Sequence, residues 1–175
     1  MTDLLTQTID SIAEFLAHAL ELEVESAERY RELADNMQVH NNLEVAELFR
    51  RLARYGDAHA AEVQQRAAAH ELPSIPPWDF KWSCPEAPEA PCMEDAHYLM
   101  SKCQALELAL HNEIRGRDFY AQVAATSTDP EVQAAAAEMA AEEDTHVVML
   151  REWFAREACD ITGRPSDLDP PNMPE

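Results

Sequence analysis

The sequence has few glycines, few basic residues and no long apolar segment. Each shortage excludes some classes of fold or of binding partner. Only three of 175 residues are glycine, while alanine, leucine and glutamate dominate, which favours long helices. The 13 basic residues are outnumbered by 34 acidic ones, giving a formal net charge of −21, so neither nucleic acid nor an anionic membrane surface is expected as a partner. No apolar run approaches the roughly 20 residues that span a bilayer. One helical domain with a real core is expected.

Cysteine pairs and a secretion signal are also lacking. The four cysteines form no CxxC pair, which excludes a zinc ribbon or a rubredoxin-type iron site. Cys84 and Cys92 share one segment and could bridge in an oxidising setting, but free thiols in a reduced compartment are the expected state for all four. The N-terminal sequence MTDLLTQTID has neither the basic nor the apolar region of a signal peptide. A cytoplasmic location is therefore expected.

Hydrophobic periodicity predicts four helices, over residues 5–37, 42–69, 95–125 and 130–159. The fourth has the clearest start, with Asp129 as N-cap and Pro130 at the first helical position. Between the second and third helices, residues 70–94 contain six prolines, which exclude a helix. Such a segment can cross the length of a bundle. The polar, proline-rich tail 161–175 is predicted to be disordered or loosely docked, leaving residues 1–160 as the domain.

The chain contains an internal repeat, residues 5–69 and 95–159. A glutamate and a tyrosine seven positions apart occur in the first and third helices, as Glu23 with Tyr30 and as Glu113 with Tyr120. A histidine follows at a matching place in the second and fourth helices, at positions 59 and 146. Two copies of one helical hairpin joined by a long crossover predict an all-α fold, an antiparallel four-helix bundle.

Acidic and imidazole side chains interrupt the apolar stripes of these helices. Glu23 and Glu113 lie between apolar residues, Glu143 and His146 share one face because they are three apart, and His59 holds the matching place. Burying unpaired carboxylates costs several kcal/mol each, and the basic residues lie at outer positions. Cations are the expected counter-charges. Carboxylate oxygen with imidazole nitrogen suits iron or manganese, and zinc can occupy the same site.

Other polar and aromatic residues have simpler interpretations. Tyr30 and Tyr120 are expected in the core, with their hydroxyls bonded to a nearby carboxylate. His18 is interpreted as a surface or helix-end residue. Trp78 and Trp82 are expected to pin the crossover to the side of the bundle.

These motifs resemble the rubrerythrin branch of the ferritin-like di-iron carboxylate superfamily, over residues 5–158. Such sites take one glutamate from each of two helices and a Glu-x-x-His motif from each of the other two. The resemblance implies a di-iron centre that reduces peroxide or dioxygen. It also implies an external electron donor, because no rubredoxin-like module is present, and a homodimer. A metal-binding or storage protein with little turnover, and a structural bundle with a degenerate metal site, are the alternatives.

The sequence departs from the family pattern at one position. Three residues before His59 the family has glutamate, but this chain has Gly56. Glu62, one turn beyond the histidine, is the best candidate to replace the missing ligand, although solvent or a single-metal site would also accommodate glycine. The first half-site is therefore expected to bind metal more weakly, and Gly56→Glu is expected to raise the metal content.

Overall fold

A computed structural model describes residues 8–82, 87–92 and 96–159. Its four α-helices are α1 (Ile12–Val39), α2 (Leu43–Ala67), α3 (Lys102–Thr126) and α4 (Pro130–Arg156), with one 3₁₀ turn at Pro77–Asp79. Within the described ranges no residue belongs to a strand. None of the described helices is long and apolar enough to cross a membrane.

The helices form a four-helix bundle made of two hairpins, as predicted. Helix α1 packs along α2, and α3 packs along α4. Side chains then join the hairpins: the Tyr120 hydroxyl donates to Glu23, and the Asn112 amide donates to the Tyr30 hydroxyl. Since the residue numbers rise on α1 as they fall on α3, these two helices are antiparallel.

The core consists of two apolar clusters separated by a polar layer. One cluster is built around Tyr30, Phe49 and Leu150, and the other around Phe15, Leu22 and Val132. Along every helix the two clusters are interrupted at about the same level, near residues 23–26, 56–59, 112–116 and 143–146. The bundle therefore holds its inward-facing polar residues at mid-height.

The helix ends differ partly from the sequence prediction. Helix α4 begins as predicted, because the Asp129 carboxylate accepts from the backbone N–H of Glu131 at 2.8 Å. Helix α3 begins seven residues later than predicted, at Lys102, where Ser101 and Gln104 cap each other's backbone N–H. Helix α1 begins at Ile12 rather than at residue 5. Residues 5–7, and the tail 161–175, lie outside the described residues.

The crossover is docked by a histidine that sequence reasoning assigned wrongly to the surface. His18 is fully buried, and its Nε2 accepts from the backbone N–H of Lys81 at 3.0 Å. The rings of Phe80 and Trp82 meet the imidazole edge-on. Trp82 therefore anchors the crossover as expected. Trp78 is 82% exposed and does not pack as the anchor that was expected.

Two of the four cysteines are paired, which corrects the expectation of free thiols throughout. Cys103 in the first turn of α3 forms a disulfide with Cys159, just beyond α4. An antiparallel hairpin brings these two positions to the same end, which is why residues 56 apart can meet. Cys92 is a free thiol, and Cys84 lies outside the described residues.

Candidate metal centre

Five side chains predicted from the sequence meet in the polar layer, one or two from each helix. His146 Nδ1 lies 3.0 Å from Glu143 Oε2 and 3.3 Å from Glu113 Oε2. His59 Nδ1 lies 3.3 Å from Glu23 Oε2 and 3.9 Å from Glu143 Oε1. The two imidazoles stack with their centroids 4.6 Å apart. Glu143 thus lies between the two histidines, rather than belonging only to the second half-site.

The carboxylates at this centre lack enough partners. Glu23 and Glu143 are only 1% and 2% exposed. The Tyr120 hydroxyl donates to Glu23 Oε1 at 3.2 Å, in agreement with the role expected of the tyrosine. Glu23 Oε2 is buried without a well-aligned hydrogen bond, although His59 Nδ1 is 3.3 Å away. An orphaned anionic oxygen at this depth is costly, so the centre is built for a positive charge.

The pKa values at the centre reflect the same lack of partners for its carboxylates. Burial raises the pKa of Glu143 to about 8, with the charges of Glu113 and Glu23 acting in the same direction against the hydrogen bond to His146. For His146, burial lowers the pKa, but hydrogen bonds to Glu113 and Glu143 outweigh it and raise the pKa to about 10. Without metal, protons therefore take the place of cations between the carboxylates.

Glu62, the expected replacement for the ligand missing at position 56, is not part of the centre. Its side chain is exposed to solvent, and it belongs to neither of the groups of clustered metal-binding side chains. The spacing of three residues after His59 placed it one turn further along α2, but there the helix turns that position outwards. The proposal of Glu62 as a ligand is therefore withdrawn.

A fourth carboxylate, which is buried and which sequence reasoning missed, comes from the crossover. Glu89 lies in the segment Ala87–Pro91, all five residues of which are buried. It is 4% exposed, and one of its oxygens lies within 4.8 Å of both a Glu23 and a Glu143 oxygen. Burial raises the pKa of Glu89 well above its ordinary value, with the charges of Glu143, Glu23 and Glu113 adding to the effect. Among the described residues its Oε1 has no hydrogen-bond partner.

Glycine at position 116 makes room for this carboxylate. A Cβ built on Gly116 of α3 would overlap the carboxyl group of Glu89. Glycine in a helix costs about 1 kcal/mol relative to alanine, so its place beside Glu113 needs a reason, and the close approach of Glu89 supplies one.

Two signals in the sequence point to Glu89. A glycine at an inward helical position indicates that another group approaches closely. The family pattern of four glutamates was one short once position 56 was read as glycine. Together they indicate that the fourth carboxylate comes from the crossover, a long segment without helical periodicity.

Known proteins similar to this chain give a family but no activity. The rubrerythrin family model matches residues 14–74, which cover α1 and α2. A crystal structure of an uncharacterized conserved protein from Magnetospirillum magnetotacticum MS-1 is 47% identical, with a TM-score of 0.66. The match covers 89% of this chain and 98% of that one. No curated protein matches the chain significantly.

Proposed function

Because the chain belongs to the rubrerythrin-like branch of the ferritin-like proteins, we propose that it is a metal-dependent oxidoreductase that reduces peroxide or dioxygen. The proposed ligands are the five clustered residues Glu23, His59, Glu113, Glu143 and His146. The observation that carries the proposal is the buried, orphaned oxygen of Glu23 beside two stacked imidazoles. Without metal, the imidazole of His59 at 3.3 Å is the charged partner of that oxygen, whereas a bound cation would compensate both it and the neighbouring carboxylates.

The residues suit a pair of hard or borderline cations. Imidazole nitrogen combined with carboxylate oxygen favours iron, and manganese or zinc can take the same ligands. Both histidines turn Nδ1 towards the carboxylates, so Nδ1 is the atom that would bind metal after losing its proton. The Tyr120 hydroxyl donates a hydrogen bond to one oxygen of Glu23, which leaves the other oxygen for the metal.

The exposure of the centre fits a small oxidant. His59, His146 and Glu113 each keep a partly exposed side chain, and a small cavity at the same level is lined by them together with Tyr55. Bound iron would supply redox electrons and Lewis acidity. The protein would hold the ions and admit peroxide or dioxygen, and the electrons would come from an external donor.

Metal analysis followed by a turnover assay tests the proposal and its alternatives. The protein is reconstituted anaerobically with Fe²⁺, and metal per chain is measured. Peroxide consumption is then followed with a reduced artificial electron donor, using Glu143→Ala as the inactive control. Bound metal with turnover supports the oxidoreductase, and bound metal without turnover indicates a binding or storage protein. A chain that binds no metal is a structural bundle, and the proposal would be wrong.

The oligomer and the compartment are further parts of this proposal. We expect a homodimer, because a crossover of this length allows hairpins to exchange between protomers; light scattering over a wide concentration range tests it. A cytoplasmic location implies that Cys103 and Cys159 are reduced in the cell. Alkylation of free thiols at lysis, followed by mass spectrometry, shows whether the disulfide is formed there.

A further inference from the structure

The crossover carries a carboxylate into the centre of the bundle, and the helices alone do not complete the family's set of ligands. Helices α1 to α4 supply three glutamates and two histidines to the cluster, whereas sites of this family use four glutamates and two histidines. Position 56, where the fourth would lie, is glycine. Glu89 comes from a different part of the chain, and one of its oxygens lies within 4.8 Å of an oxygen of Glu23 and of an oxygen of Glu143.

We propose that Glu89 is the fourth carboxylate ligand of the metal centre, so that the crossover segment Ala87–Pro91 is itself part of the site. This inference rests on the proposed metal binding. It adds that a loop, and not helix α2, provides the ligand that the family takes from a helix, and that metal loading and docking of the crossover are coupled.

The first support is the state of the Glu89 side chain. It is almost completely buried, and within the part of the chain that the structure describes its Oε1 has no hydrogen-bond partner. A glutamate that only closed the bundle would be expected to accept a hydrogen bond, because burying an unpaired carboxylate costs several kcal/mol. The charges that act on it are those of other carboxylates, Glu143, Glu23 and Glu113, so a cation is the partner that the arrangement lacks.

The second support is the charge balance of the complete set. Glu23, Glu89, Glu113 and Glu143 together carry four negative charges when all are ionised. Two divalent cations bound by neutral imidazoles would balance that charge, whereas three glutamates would leave one excess positive charge in the interior. An unmatched charge in the interior is strongly destabilising, so the fourth carboxylate favours a site for two ions.

The third support is that helices α1 and α3 accommodate the segment Ala87–Pro91 by specific contacts. Gly116 on α3 leaves the volume that the Glu89 carboxyl group fills. On the other side, the backbone N–H of Ala87 donates to the Glu25 carboxylate of α1 at 3.3 Å, and the N–H of Ala90 closes a turn on Ala87 at 3.1 Å. The segment is therefore held by α1 and α3 in the position that delivers its glutamate.

Two variants remove the ligand in independent ways. Glu89→Gln keeps the shape of the side chain but weakens it as a ligand. Gly116→Ala leaves every acid in place but fills the volume that the Glu89 carboxyl group needs. Glu71→Gln, an exposed glutamate in the same crossover, is the matched control.

Zinc binding measures the effect without requiring activity. Titration with Zn²⁺ should give two ions per wild-type chain. In Glu89→Gln and Gly116→Ala the second ion should bind at least tenfold more weakly, on the order of the losses seen when metal sites are disturbed. The control should match the wild type. Apo Glu89→Gln should melt no lower than apo wild type, because it loses a buried acid, and this shows that the variant is folded.

Hydrogen exchange provides a local readout that a merely structural role would not change. Zn²⁺ should slow exchange at the amides of Ala87 and Ala90 in the wild type and in Glu71→Gln, but not in Glu89→Gln. If the wild type binds no zinc, the proposed metal site fails and this inference fails with it. If Glu89→Gln binds two ions as tightly as the wild type, with the same protection of the crossover, only the role of Glu89 is overturned. Should Gly116→Ala not fold, Glu89→Gln decides alone.

Discussion

Three residues before its histidine, the second hairpin has Glu143 on α4, whereas the first hairpin has Gly56 on α2. The two hairpins otherwise supply matching residues, one glutamate and one histidine each. In the first hairpin the two helices lie close together at this position. A Cβ at Gly56 would lie only 3.0 Å from the Ala27 Cβ and 3.3 Å from Ala27 backbone atoms. The first hairpin thus uses glycine to let α1 and α2 approach closely, and it gives up a ligand position.

The second hairpin makes the opposite use of its glycine. Gly116 opens space beside α3, and the crossover fills it with Glu89. Each hairpin therefore contains one glycine at the level of the polar layer, one serving helix packing and the other admitting a loop. With Glu89 as the proposed fourth ligand, the internal repeat would keep its ligand count while one ligand moves from a helix to a connection.

The largest expected effect is a loss of metal when Glu143, the proposed ligand between the two hairpins, is replaced. Glu143→Ala should remove most bound metal, because Glu143 lies beside both histidines. Asp144→Ala, which changes the adjacent exposed acid, should keep the wild-type metal content. Metal per chain after reconstitution and desalting measures both. If Glu143→Ala retains two ions, the hairpins do not share a central ligand.

The next effect concerns the disulfide that joins the start of α3 to the residue Cys159 beyond α4. Cys159→Ser should lower the free energy of unfolding by about 4 kcal/mol in oxidising buffer, since the bond closes a loop of 56 residues. Wild type and variant should be nearly equal in reducing buffer, which serves as the control. Denaturant unfolding in both buffers is the measurement. Equal stabilities in oxidising buffer would mean that the bond adds nothing to the hairpin.

Gly56→Glu, which makes the first hairpin resemble the second, tests the reason for the asymmetry. The sequence alone suggested that it would raise metal content, but the structure argues against that expectation. The new Cβ meets the backbone of Ala27, and overpacking of this kind costs about 1–3 kcal/mol. A gain in helix propensity of about 1 kcal/mol offsets part of it.

We therefore expect Gly56→Glu to be destabilised in the apo form and to bind no additional metal. Gly56→Ala separates the two contributions, because it adds the Cβ without the carboxylate. Unfolding in denaturant and metal analysis of both variants measure the outcome. A metal-loaded Gly56→Glu protein with tighter sites than wild type would restore the simpler view that position 56 only lacks a ligand.

Residues that follow a helical period were predictable, and the others were not. The bundle, its repeat and the meeting of Glu23, His59 and Glu143 follow from period and offset, because side chains 3 or 4 apart share a helix face. Glu89 lies in a proline-rich segment without periodicity, so its direction depends on tertiary docking. The pairing of Cys103 with Cys159 could be predicted from the antiparallel hairpin, because such a hairpin brings the start of α3 and the end of α4 together.

His18 was missed for a different reason, and it provides the last comparison between the hairpins. With the offset of 90 residues that aligns Glu23 with Glu113, His18 aligns with Leu108 of α3. Both positions are buried, but only His18 accepts a hydrogen bond from the crossover, at the N–H of Lys81. A polar residue on an apolar stripe was interpreted as exposed, whereas its ring satisfies a loop amide in the core.

His18→Leu should copy the second hairpin and release this contact. At pH 8 we expect a loss of about 1–2 kcal/mol, since the Lys81 N–H loses its acceptor. Burial lowers the pKa of His18 below 6.5, an effect that the carbonyl and carboxylate of Glu14 only partly oppose. The neutral ring is thus favoured by folding, and the stabilisation is complete above pH 6.5 and declines as the pH falls below it. The difference in unfolding free energy between wild type and variant should therefore shrink between pH 7 and pH 5, whatever other groups titrate in both proteins. A difference that stays constant over that range would show that folding does not hold the His18 ring neutral.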